Sequence, residues 1–196
     1  LHDRPHAGGV GSRKEVKEMT RLLRVTALVM TLVLAGAWPA TAAEPMRASL
    51  QGITVGFSAD PGALAARCPA GSEWILRTAG SGQLSSEAYA GSVDYSTEHC
   101  SRVLAGTMPG HAVGKIAAGL LTLVTPGGDE LYAAYEGTFV FNGDVAVAWR
   151  SDVHQSFAIT GGTGVFAGAS GNGSFPTVDN SGAVTMALNG ALDVPN

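Results

Sequence analysis

Few side chains in this 196-residue chain have the types and spacing that chemistry requires. The run from Glu130 to Glu136 sets Glu130, Tyr132 and Glu136 at even positions, and Leu131, Ala133 and Tyr135 at odd ones. In a strand these two sets point to opposite faces. If the even face is internal, Tyr132 and Glu136 form an acid–base pair in an apolar cavity. In the opposite arrangement the glutamates meet solvent, the usual place for charge, and Tyr135 joins the core. Tyr95 and His99 also share a parity, next to Asp94. Together with Trp149 and Phe166, Tyr95 is a candidate for the wall of a ligand cavity.

Other chemistries find less support. His99, His111 and His154 have no histidine partner at i+2 or i+4, so no metal site is expected. No GxSxG elbow is present to mark an α/β-type serine hydrolase. No cofactor is expected. Cys68 and Cys100 are the only cysteines. In an oxidising compartment an even count favours a disulfide. The alternative is a Cys100 nucleophile assisted by His99.

The compartment is suggested by the first 43 residues. Arg21 and Arg24 precede an apolar stretch, Val25–Ala37, which Trp38-Pro39 interrupts before the small residues of Ala40-Thr41-Ala42. This is the three-part pattern of a secretory signal peptide, residues 19–42, ending at Ala42 or Ala43. The apolar stretch is shorter than the ~20 residues of a spanning helix. Residues 1–18 precede Met19 and read as an untranslated or disordered extension. One domain, residues 43–196, follows, and no membrane anchor is expected after cleavage.

Removing the leader changes the charge balance. Six of the 12 basic and 13 of the 16 acidic residues remain, a net charge of −7 with Lys115 as the single lysine. Such a domain cannot neutralise a run of phosphates, which argues against nucleic acid as a partner.

The elements that must position these residues are strands. Period-two alternation predicts them over Met46–Phe57, Glu73–Leu84, Ser92–Met108, Val113–Val124 and Glu130–Phe141. Asp144–Arg150 follows, with Val153–Thr160 as its continuation or a separate strand, then Ser174–Val178 and Ala183–Val194. Asn142-Gly143 reads as a tight turn. Ala59–Arg67 reads as a loop or one helical turn, and the KIAAGLL run inside the fourth strand could also pass for a helix. Short strands at regular spacing without a long helix imply a barrel or a sandwich. Closure removes exposed edges, so the expected fold is all-β: a single eight-stranded, mostly antiparallel, calycin-like barrel.

The segment ITGGTGVFAGASGNG, residues 159–173, superficially matches a dinucleotide-binding turn. The helix and further parallel strands that such a turn opens are missing downstream, and no Lys-Ser or Lys-Thr follows to make a P-loop. Instead the segment resembles the corresponding region of the allene oxide cyclase and dirigent superfamily, whose bacterial secreted members read GGTGxFxGAxGxG there. TLVTPGGDELYAAYEGTF resembles that group's hairpin between its middle strands. The likeness covers roughly residues 113–194; the earlier strands match in number only. It implies a barrel in which Gly161, Gly162, Gly164 and Gly168 shape a corner, the first three through positive φ, while Phe166 plugs one end. It also implies one of two functions. The protein either binds a small apolar molecule or persists as a stable non-catalytic scaffold. Alternatively, it is a cofactor-independent cyclase or isomerase confining an apolar substrate.

Overall fold

A computed structural model describes residues 43–195. The expected extension, 1–18, and leader, 19–42, lie outside the described residues. Eight strands follow in order: β1 (Glu44–Ser58), β2 (Trp74–Ser85), β3 (Ala90–Gly106), β4 (Gly110–Val124), β5 (Glu130–Asp144), β6 (Ala148–Gly162), β7 (Ser170–Asn180) and β8 (Ala183–Asp193). Each pairs antiparallel with its neighbours in sequence, and β8 returns to β1, closing the barrel. Closure leaves no unpaired edge to template aggregation.

Alternation along the strands sorts the side chains. In β5, Leu131, Ala133, Tyr135, Phe139 and Phe141 are buried, while Glu136 and Thr138 are exposed. In β6, Ser151, Val153, Gln155, Phe157 and Ile159 point inward. The KIAAGLL run is strand, not helix, because its apolar residues pair across β3 and β5. A bulge between Ile116 and Gly119 absorbs its irregularity, with Ala118 at φ 51°.

Two expectations about turns need correction. The β5–β6 turn falls at Val145–Val147, not at Asn142-Gly143, and β6 is one continuous strand. Asp144 nucleates it: its Oδ1 accepts from the Ala146 amide at 2.8 Å, and its carbonyl accepts from the Val147 amide at 3.0 Å. Asn142 stays in the ladder, where its Oδ1 lies 2.7 Å from His111 Nδ1. Gly162 is the second correction. Gly161, Gly164 and Gly168 have φ of 142°, 53° and 74°, but Gly162 is not left-handed. It is glycine because a Cβ there would sit 2.5 Å from Phe166 Cβ and 2.6 Å from the Glu130 carbonyl oxygen.

The two ends of the barrel differ. At one end Phe166, in a single 3-10 turn (Gly164–Phe166), is fully buried and meets the Tyr89 ring edge-on at 5.9 Å. Beneath it Leu50, Leu84, Val93, Leu123, Leu131 and Leu188 fill the interior. At the other end the long β1–β2 connection carries α1 (Pro61–Arg67), capped by Asp60, whose carboxylate accepts from the Ala63 amide at 2.8 Å. The connection lies against the outer face of the barrel. There Cys68 is bonded to Cys100 with Cα atoms 5.7 Å apart, which removes the nucleophile reading of Cys100. Arg67 Nε donates to Glu98 at 2.8 Å and its Nη2 to the Ala118 carbonyl at 2.7 Å. No helix among the described residues is long and apolar enough to cross a membrane.

Candidate functional site

The end opposite Phe166 opens into a cavity of about 150 Å³. Aromatic side chains from four strands build it: Phe57 from the end of β1, Trp74 from the start of β2, Phe139 and Phe141 from β5, and Trp149 from β6. Phe57 stacks on Trp74 at 6.3 Å and Phe141 on Trp149 at 5.6 Å, so the rings stand as two short stacks. Phe57 is 63 % exposed and Val145 61 %, giving the rim an apolar lip. A lone exposed apolar residue is ordinary, but a ring of them around an opening marks a binding surface.

Polar side chains interrupt this apolar wall, Ser101 as the register partner of Trp74 and Ser151 as that of Phe141. His99 and Ser101 reach the cavity from β3, Ser151 from β6 and Asp179 from β7. All four are buried. A smaller void of about 30 Å³ continues inward, lined by Thr78, Thr97, Tyr135, Gln155 and Thr177 as well as His99 and Asp179. Thr78 and Thr97 share a hydrogen bond at 2.7 Å, and Thr177 donates to Gln155 Oε1 at 3.2 Å. His99 Nδ1 lies 2.8 Å from the Tyr135 hydroxyl.

The electrostatics follow from burial. His99 has its pKa pushed down to about 4, mainly because burial disfavours the imidazolium, with Arg67 adding to the effect and Glu98 opposing it. It is therefore a neutral imidazole at physiological pH. Burial also raises the Tyr135 hydroxyl, which stays protonated. Asp179 is raised by burial too, against hydrogen bonds from Gly182 and Thr54 that favour its ionised form. Those bonds run from the Gly182 amide to Oδ1 at 2.9 Å and from Thr54 Oγ1 to Oδ2 at 3.1 Å. On the outer wall burial alone would raise Glu98, but Arg77 and Arg67 outweigh it and hold the carboxyl below its usual range.

The expected acid–base pair does not assemble in the interior. Tyr132 and Glu136 both project from the outer face of β5, because the odd residues carry the bulk that the core needs. Tyr132 donates a hydrogen bond to Glu130. Glu136 lies in a shallow polar groove with Lys115 and His154. Of the expected cavity residues, Trp149 does line the mouth. Phe166 belongs to the closed end instead. Tyr95 is buried deeper in the core, its hydroxyl without a hydrogen-bond partner. Gly52 makes room for that hydroxyl, which would collide with any Cβ on β1 at this point. Sequence patterning singles out neither Asp179, Ser101 and Ser151 nor the rings of Phe57, Trp74, Phe139 and Phe141. Counting in twos from buried Phe175 reaches Thr177 and Asp179, which was the available signal. Among the described residues no cluster of three His, Cys, Asp or Glu could hold a metal ion.

Comparison with protein-family models, curated proteins and solved structures finds no match.

Proposed function

We propose that this protein is exported and binds a small apolar molecule in the open mouth of its barrel. The observation that carries this reading is the half-open cavity of about 150 Å³, walled by Phe57, Trp74, Phe139, Phe141 and Trp149 and floored by a few polar groups. A largely apolar concavity with a small number of fixed polar atoms is the usual form of a small-molecule site. An apolar cavity of about this volume accommodates a benzene-sized ring. Export is supported by the leader pattern before Ala43 and by the Cys68–Cys100 disulfide. Kinship with the allene oxide cyclase and dirigent superfamily rests on the ITGGTGVFAGASGNG segment and is part of the same proposal.

The test is titration with toluene and cyclohexanol, followed by the fluorescence of Trp74 and Trp149. Saturable change is expected, and Ser151→Phe, which fills the cavity from its wall, should abolish it. If neither probe gives a saturable change, the barrel is a scaffold and the binding reading fails. Native mass spectrometry of protein from its own secretion medium would identify the natural occupant.

One observation favours a second reading, catalysis of a cyclisation or isomerisation. Asp179 and neutral His99 face the same cavity, and a buried carboxylate beside an apolar guest is a competent general base. On this reading an apolar ligand is recovered rearranged after incubation, and Asp179→Asn stops the conversion while leaving the ligand bound.

A further inference from the structure

We propose that the mouth cavity selects an organic cation, an amine or quaternary ammonium on a small apolar frame, held between the aromatic stacks and the Asp179 carboxylate. This rests on the binding reading above and specifies the chemistry of the ligand.

Charge is distributed one-sidedly around the cavity. Of the residues lining it, Asp179 is the acid, none is Lys or Arg, and His99 is kept neutral by its burial. Asp179 itself is only 4 % exposed. Its hydrogen bonds come from two neutral donors, the Thr54 hydroxyl and the Gly182 amide. The ion pairs among the described residues join Arg67 and Arg77 to Glu98 and Arg150 to Asp152, and none reaches Asp179. The carboxylate has about four acceptor sites, two of them used by these donors, and burial raises its pKa, so the charged form lacks a compensating partner among the lining residues. A buried carboxylate without a counter-charge is costly, and a neutral hydrocarbon in the cavity would make it drier still. A cationic guest supplies the missing charge.

The walls suit the same guest. Five aromatic rings line the cavity, and the negative face of an aromatic ring attracts ammonium groups, Trp most strongly. Phe57–Trp74 and Phe141–Trp149 are each stacked close to parallel, at 28° and 29°. Trp74 also meets Phe139 at 6.1 Å, tilted by 57°, so Phe57, Trp74 and Phe139 present three rings together. The acidic chain, −4 overall, adds long-range attraction for cations.

Two probes of nearly the same shape separate the possibilities: phenyltrimethylammonium and its uncharged isostere tert-butylbenzene, each titrated at pH 7 by tryptophan fluorescence. The cation is expected to bind about ten-fold more tightly, the scale of a desolvated cation–π contact with a carboxylate beside it. Asp179→Asn should remove most of that preference while the variant still binds tert-butylbenzene. Phe57→Ala, a change at an exposed rim residue, should weaken the cation more than the isostere. Equal or tighter binding of tert-butylbenzene to the wild type would overturn cation selection and leave the apolar site standing. Binding of neither probe would overturn both. A ten-fold preference that survives in folded Asp179→Asn would refute the role given to the carboxylate. If that variant does not fold, the wild-type ratio and Phe57→Ala still distinguish a cation-selective mouth from a merely apolar one.

Discussion

His99 and Tyr135 meet inside the barrel, Nδ1 to hydroxyl, at 2.8 Å, from strands that are not neighbours in the sheet. The contact spans the interior from β3 to β5 and closes the polar layer beneath the mouth. Tyr135 in turn packs edge-on against Phe175 of β7 at 5.0 Å, so the layer is tied to the opposite wall. Two residues buried in this way have consequences for stability as well as for binding.

Stability should fall in acid because of His99. Its folded pKa is about 4 against an ordinary 6.5, so in the interval between them the unfolded chain takes up a proton that the barrel does not. The contribution is fully present above pH 6.5 and is lost progressively down to pH 4, by about 3 kcal/mol in all. Urea unfolding of wild type and His99→Gln across this range measures it. The difference between the two curves isolates the imidazole, since Asp179, raised by burial, acts in the opposite direction in both proteins. Parallel curves would show that His99 is hydrated in the folded state.

Replacing both cysteines by serine should cost about 3–4 kcal/mol, the loop-closure value for a crosslink spanning 32 residues. Chemical denaturation under non-reducing conditions checks this. The native protein should also resist alkylation by iodoacetamide until a reductant is added, and prompt alkylation would mean the bond is not formed.

Truncating the plug should be as costly and functionally silent. Phe166→Ala empties a fully buried position and is expected to lower stability by about 3–5 kcal/mol. Ligand binding at the opposite end should keep its affinity wherever the variant remains folded. A large loss of affinity in the folded variant would place the ligand at the closed end instead.

Tyr95→Phe should leave stability unchanged or raise it by about 1 kcal/mol, because the hydroxyl it removes is buried without a partner. Thermal unfolding decides the sign, and a clear loss would show the hydroxyl held by Thr78 or by water.

On the outer wall, Tyr132→Phe and Glu136→Gln should each change stability by less than about 0.5 kcal/mol and leave ligand binding as it was. Circular dichroism melts and the toluene titration are sufficient. A strong effect on binding would move the site to the groove that Glu136 shares with Lys115 and His154.

The barrel was legible in the chain because its physical cause is local. Strands that bury one face must alternate, and the runs around Leu131 to Phe141 and Val153 to Ile159 do so without interruption. The disulfide was legible for a different reason: two cysteines have a single possible pairing. Turn placement was less so, since Asn142-Gly143 competes with Asp144 and the sheet register favours Asp144.

The site was harder to read, because alternation defines two faces without saying which is inside. Glu130, Tyr132 and Glu136 look more reactive than Leu131, Ala133 and Tyr135, yet the bulk of the second set assigns it to the core. Sequence therefore determined most of the element types and the crosslink, each a matter of neighbours or of pairing by elimination. Tertiary structure alone decided that Asp179 faces the mouth, that His99 reaches Tyr135 across the interior, and that one end is sealed by Phe166 while the other stays open. Those facts depend on how far each strand is sheared against the next around a closed sheet, a quantity that no single segment carries.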